Sequence, residues 1–179
     1  MRWGGEAGVA HGTARAWLGV LEASFLVHIL PPYHRNFGKR LVKTPKLYFL
    51  DAGLAAWLLG IRDPATLALH PLRGALFETL IVSEVLKQRR NLGLPAGIYF
   101  WRDNSGLEAD LLIEDGAKLQ PVEIKSGQTV TQDYIRAAQR VGRIPGEEGR
   151  MPWLVFGGDA SCERGGVLVI GWRVLPSGL

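Results

Sequence analysis

Apolar positions along this chain alternate between a spacing of three to four and a spacing of two, and the switches mark its elements. Ala14, Trp17, Leu18, Leu21 and Phe25 recur at helical spacing, with Thr13 as the expected N-cap. Apolar runs over 25–30 and 46–50 predict two strands flanking a polar loop. Asp51 is placed to cap a short helix that Gly60 stops, and Asp63-Pro64 opens another. The longest periodic stretch, from Leu72 to Lys87, predicts a helix over 72–90. Strands follow over 97–102, 107–114 and 118–125, then a helix over 131–141 and a strand over 152–157. Val167 to Val174 reads as a last strand. This mixed order predicts an α/β domain of three layers, with the 107–125 hairpin in the sheet centre or beside it.

Charged residues interrupt the apolar faces at a few places. On a wheel of 100° per residue, Ala75, Ile81, Val82 and Val85 all lie within about 60° of Glu78. Arg73, Ser83, Glu84 and Lys87 take the opposite face. A carboxylate in the apolar stripe is costly unless something pairs with it. Glu123 and Lys125 are two apart in a strand and share a face. Asp115-Gly116 reads as a type I′ hairpin turn, which sets Glu114 opposite Ala117 and Glu108 opposite Glu123. Asp110 then faces Pro121, diagonal to Glu123, at a separation of about 5–8 Å that one divalent ion spans. Two plainer readings stay open: Glu78 bonded to a backbone group or an arginine, and a Glu123–Lys125 pair that stabilises the sheet without metal. Pro121 cannot donate a ladder hydrogen bond, so a bend or bulge is expected beside it. A bulge would shift the register and leaves Glu108 as a rival to Asp110.

The order of a helix with Glu, a strand, a strand with Asp, a strand with Glu-x-Lys, a helix and a strand resembles the restriction-endonuclease-like, PD-(D/E)xK nuclease superfamily. Four blocks carry a narrower resemblance: Lys43-Thr-Pro-Lys-Leu-Tyr-Phe-Leu-Asp-Ala-Gly-Leu54, Phe77-Glu78, Trp101-Arg-Asp-Asn-Ser-Gly-Leu-Glu-Ala-Asp110 and Pro121-Val-Glu-Ile-Lys-Ser-Gly127. They resemble the uncharacterised C-terminal domain of predicted prokaryotic AAA+ ATPases, over about Thr13 to Phe156. Ala109 stands where the superfamily motif has proline, and no Gly-x-x-x-x-Gly-Lys-Ser/Thr phosphate loop occurs in the chain. The resemblance implies a restriction-endonuclease-like core with a mixed sheet over 70–179, and it selects Asp110 over Glu108. It implies that Asp110, Glu123 and the Ile124 carbonyl hold Mg²⁺ or Mn²⁺, with Lys125 and Glu78 as catalytic partners and Gln139 bracing the lysine. The activity implied is metal-dependent hydrolysis of DNA. The alternative is a non-enzymatic DNA- or protein-binding module that works with an AAA+ ATPase.

Residues 1–69 read as a partial winged helix and a helical connector. Helix, strand, basic loop and strand form the second half of such a unit, and residues 1–12 leave too little chain for the rest, so a truncated start is expected. From Pro31 to Lys46 the chain carries Arg35, Lys39, Arg40, Lys43 and Lys46 with no acidic residue, and the first four are the candidate phosphate contacts. Those four cations suit DNA phosphates, although the same loop could simply be solvated and the helix could dock a protein. The net charge of +4 is modest for a chain of 179 residues. A hydrophobic content of 47% with 21% charged residues excludes a disordered chain. Cys162 stands alone, and His11, His28, His34 and His70 lack zinc spacing. No apolar run reaches the ~18–20 residues that cross a bilayer, so a cytoplasmic protein is expected.

Overall fold

The computed structural model describes residues 8–33 and 42–175. In chain order these form α1 (His11–Ala23), β1 (Val27–Leu30), β2 (Lys46–Phe49), α2 (Ala52–Leu58), α3 (Pro64–Leu69) and α4 (Arg73–Asn91). Then come β3 (Ile98–Arg102), β4 (Glu108–Asp115), β5 (Lys118–Lys125), α5 (Gln132–Gly142), β6 (Trp153–Phe156), β7 (Cys162–Arg164) and β8 (Val167–Gly171).

Local chemistry explains several boundaries. Asp51 Oδ1 accepts the Leu54 N–H at 3.0 Å and starts α2, and Gly60 takes a φ of +80° just past its end. Asp63 accepts the Thr66 N–H at 2.8 Å with Pro64 at the first position of α3. Two boundaries differ from expectation. α1 begins at His11, with Ala10 before it and no side-chain cap, so Thr13 lies inside the helix. The apolar stripe fixes the body of α1 but carries no information about its polar first turn. The last strand ends at Gly171, and Trp172–Val174 form a 3₁₀ turn.

The main sheet has six strands in the order β3-β4-β5-β6-β8-β7. β3, β4 and β5 are antiparallel neighbours, β5, β6 and β8 run parallel, and β7 returns antiparallel to β8. Period-two alternation sorts the strand side chains onto two faces. Val122, Ile124, Val155 and Ile170 pack with Ile81, Val82 and Val85 of α4. Leu154, Phe156 and Val169 pack with Ile135 and Ala138 of α5. The result is a mixed α/β fold with a helix against each face of the sheet. Ser83, expected on the solvent face of α4, is buried and returns its hydroxyl to the Leu80 carbonyl.

The N-terminal segment is tied into this core. β1 and β2 form an antiparallel pair that matches Val27 with Phe49 and Leu30 with Lys46. Leu30 and Tyr48 share the buried cluster of Ile81 and Phe100. Past β1 the chain runs along β3, where the Tyr33 N–H donates to Phe100 O at 2.7 Å and the Phe100 N–H to Pro31 O at 3.1 Å. The observed unit is thus a helix followed by a two-stranded hairpin. Arg35, Lys39 and Arg40 lie outside the described residues.

The β4–β5 hairpin corrects the expected register. Asp115 pairs with Lys118 and Glu114 with Leu119, so the loop is Gly116-Ala117 and the pairing has slid by two. Gly116 has a φ of +61°, the glycine-first arrangement of a type II′ turn. A slip of two keeps every side chain on its expected face. Pro121 stays in the strand opposite Leu112. The β6 ladder begins only at Val122, so no partner on that side calls for a Pro121 N–H. Among the described residues, no helix is long and apolar enough to cross a membrane.

Candidate active site

A bulge places the first carboxylate. Tyr99 pairs with Leu112 and Trp101 with Ala109, which leaves Phe100 alone opposite two residues, Asp110 and Leu111. The extra residue lies on β4, not beside Pro121, and such bulges re-aim side chains at sheet ends. The β4–β5 ladder ends at Leu111–Val122, and beyond it the Asp110 carboxylate replaces the backbone. Its Oδ2 accepts the Ile124 N–H at 2.8 Å. One further step along that register sets Asp110 beside Glu123, where Glu108 had been expected.

β5 supplies the other two groups. Glu123 is buried, and its Oε1 lies 2.5 Å from Lys125 Nζ on the same strand face. Glu108, Asp110, Glu123 and Lys125 together line a cavity of about 530 Å³. Ala137, Arg140 and Val141 of α5 and the 105–107 loop complete its walls. That loop is held by Asp103, whose Oδ1 accepts the Ser105 N–H at 2.9 Å, the Ser105 hydroxyl at 2.6 Å and the Leu107 N–H at 3.0 Å. Asp103→Ala removes a buried carboxylate and leaves those three part-buried donors without it. It is expected to lower unfolding free energy by about 2 kcal/mol in urea titrations, with Asp103→Asn losing less.

A second network adjoins the first. Glu78 Oε1 receives Lys46 Nζ at 2.9 Å and also the Tyr48 hydroxyl. Lys46 Nζ reaches Glu108 Oε1 at 2.5 Å, and Arg102 Nε stands 3.6 Å from Glu108 Oε2. The ammonium of Lys46 also lies 5.5 Å from the centre of the Phe100 ring. β2 therefore inserts Lys46 and Tyr48 between a helix carboxylate and a strand carboxylate. The sequence marks Lys46 only as a cation of the basic stretch and gives Tyr48 no role, although their two-residue spacing in a strand puts both on one face. Lys46→Met leaves Glu78 with Tyr48 alone and Glu108 with Arg102 alone, and is expected to cost about 2 kcal/mol of stability, measured by chemical unfolding. A loss below half that size would mean solvent already screens the cluster.

The charges act on one another. Burial first, then the carboxylates of Glu123 and Glu78, push the Asp110 carboxyl up to about 7, against the opposing pull of Lys125 and the Ile124 N–H. Burial pulls the Lys125 ammonium down, but Glu123, Asp110 and Glu78 outweigh it and its pKa is raised. Lys46 behaves alike: burial lowers it, and Glu78 and Glu108 more than compensate. Burial and the Glu78 carboxylate raise Tyr48, which stays a phenol. Both lysines are therefore cations at neutral pH.

The remaining expected residues divide plainly. Glu78 acts electrostatically on Asp110 and Lys125, while its own oxygen is engaged by Lys46 and Tyr48. Gln139 does not brace Lys125, because its Nε2 donates to Gly165 O at 2.8 Å. The cleft-facing side of α5 is Ala137, Arg140 and Val141, and Gln139 is turned about 100° from Arg140. Arg140 is the cleft cation that sequence reasoning missed. Lys43 is exposed, next to Val42, whose N–H donates to Arg102 O at 2.9 Å. Among the described residues, no three His, Cys, Asp or Glu side chains converge as a metal-binding group. The donor set on offer is two carboxylates and backbone oxygen.

A family model described as "Domain of unknown function (DUF4143)" matches residues 73–176, which hold β3 to β8 and all of the cleft carboxylates. A second, "Domain of unknown function (DUF8612)", matches residues 3–65. The chain is similar to an uncharacterized protein of Mycobacterium bovis and to one of Mycobacterium tuberculosis, each 38% identical over 121 residues. That alignment covers 68% of this chain and 26% of each relative, so the chain spans about a quarter of their length.

Proposed function

The chain belongs to the family described as "Domain of unknown function (DUF4143)", and from its cleft we propose that it hydrolyses DNA phosphodiester bonds with a divalent metal ion. The core is read as restriction-endonuclease-like, working in the cytoplasm. One observation carries this reading: the β4 bulge brings Asp110 to Glu123 beside Lys125 in a single cleft. Asp110, Glu123 and the Ile124 carbonyl would hold Mg²⁺ or Mn²⁺, both of which prefer hard oxygen ligands and keep several waters. The donor chemistry fits, because burial and two neighbouring carboxylates keep the Asp110 carboxyl protonated toward neutral pH unless a cation joins them. When bound, the ion polarises the phosphate and acidifies a water molecule.

The chain's own groups supply the rest. Lys125 is an ammonium, so it serves the charge that develops on the phosphate rather than taking a proton from water. Glu78, fixed by Lys46 and Tyr48, adds negative potential behind Asp110 and Lys125. Arg140 faces the cleft from α5 and suits a phosphate oxygen. The test is cleavage of single-stranded, duplex and branched DNA by purified protein with Mg²⁺ or Mn²⁺. Cleavage that chelator abolishes supports the proposal, and intact DNA with both ions defeats it.

A second reading has its own support. Lys125 pairs with Glu123, Lys46 lies between Glu78 and Glu108, and Arg102 stands 3.6 Å from Glu108, so three cations face three ionised carboxylates while burial holds Asp110 protonated toward neutral pH. A cluster balanced without an ion suits a non-enzymatic DNA- or protein-binding module acting with an AAA+ ATPase. DNA binding without cleavage in either ion is the result this reading requires.

A further inference from the structure

We propose that Arg136 and Arg140 of α5, with Arg143 at its C-terminal cap, form a phosphate track that leads a single, unpaired nucleic-acid strand into the cleft. The proposal rests on the reading of the cleft as a phosphodiester site and names the form of its substrate. The three arginines are spaced i, i+4 and i+7, so they share one side of the helix over about 10 Å. All three are exposed. A second concavity of about 450 Å³ is lined by Asp133, Arg136, Gln139, Arg140 and Arg143. Arg140 belongs to both concavities and joins the basic one to the acidic one.

Helix stability alone does not account for this row. A cation in the last turn favours the helix dipole, which covers Arg140. Like charges at i and i+4 oppose helix formation, and Arg136 and Arg140 are such a pair. Asp133 stands 3.5 Å from Arg136, but both side chains are largely exposed and the pair contributes little. Arg140 and Arg143 form no ion pair with a described residue. Anions laid along the row relieve the repulsion, and the phosphodiester backbone of a nucleic-acid strand supplies them at regular spacing. A cleft of about 530 Å³ has room for about one nucleotide. In this proposal the strand reaches Asp110 and Glu123 unpaired, one nucleotide at a time.

The test is fluorescence anisotropy with a labelled 20-mer, single-stranded or duplexed, in the Asp110→Asn background without divalent ions, so that no chemistry intervenes. Adding Arg136→Gln, Arg140→Gln and Arg143→Gln is expected to weaken single-strand binding at least tenfold at low salt. The slope of log K against log salt is expected to fall by about two, from 0.7 per phosphate contact on a single strand. An equal-charge control carries Arg15→Gln, Arg62→Gln and Arg164→Gln, and it is expected to keep the slope. An unchanged slope, an equal loss in the control, or tighter binding of the duplex overturns the track. Cleavage by the wild type is scored separately. A lost slope without any cleavage fails only the nuclease reading, and cleavage with an unchanged slope fails only the track.

Discussion

Lys125→Ala is expected to slow metal-dependent DNA cleavage by about 10²–10³-fold, the usual cost of removing one group that stabilises transition-state charge. DNA affinity is expected to change less than about threefold, because one phosphate contact is a small part of a basic surface. The reason lies in the charge state. Glu123, Asp110 and Glu78 overcome the effect of burial and keep Lys125 an ammonium, fixed 2.5 Å from Glu123 at the end of β5. Lys125→Arg keeps the charge and is expected to retain part of the rate. Single-turnover kinetics at saturating protein separate the two effects. A Lys125→Ala rate near that of the wild type would remove Lys125 from the reaction.

Asp110→Asn is expected to remove the loss of stability that the Asp110 carboxyl causes as pH rises, and to abolish the response to metal. The Asp110 carboxyl has a folded pKa of about 7 against an ordinary 3.8, so its ionisation opposes folding. Its favourable contribution is complete below the unfolded value and is lost as pH rises through about 7. The span corresponds to a few kcal/mol, on the order of 1.4 per unit. Without metal, the variant is therefore expected to gain stability relative to the wild type between pH 5 and pH 8. Millimolar Mg²⁺ or Mn²⁺ compensates the ionised carboxylate and is expected to raise the wild-type Tm more at pH 8 than at pH 6. Melting curves at both pH values, with and without each ion, give the comparison. Equal metal increments in wild type and variant would place the ion elsewhere.

Local signals and partner-dependent signals were not equally visible in the sequence. Asp51 and Asp63 announce their helices because the cap bond is made within three residues. The faces of β4, β5, β6 and β8 follow from alternation alone, and they survived a register that slid by two. The turn itself was misplaced because Asp115-Gly116 and Gly116-Ala117 both use Gly116, and strand pairing decides between them. Pro121 predicts a bend or bulge beside itself on β5, whereas the bulge falls on β4 at Asp110 and Leu111. A bulge is a count across two strands, and only the pairing of β4 with β3 shows where the extra residue falls.

The site was legible in the same uneven way. Asp110, Glu123 and Lys125 lie on neighbouring strands of one hairpin, so spacing brings them together. Lys46 and Tyr48 reach Glu78 across 32 and 30 residues, and nothing local marks such a pairing. Gln139 was placed by resemblance rather than by its helix face, and counting from buried Ala138 and Val141 sets it away from the cleft. β7 is three exposed residues with no apolar pattern to betray it.

The central claim is that Asp110 and Glu123 form one divalent-ion site. The most direct test is an anomalous-scattering crystal structure of the wild-type protein in millimolar Mn²⁺ at pH 8. A single manganese peak in contact with both carboxylates and the Ile124 carbonyl, with Lys125 Nζ displaced from Glu123, is the predicted result. A cleft without manganese at saturating ion, with Lys125 still seated on Glu123, would contradict it.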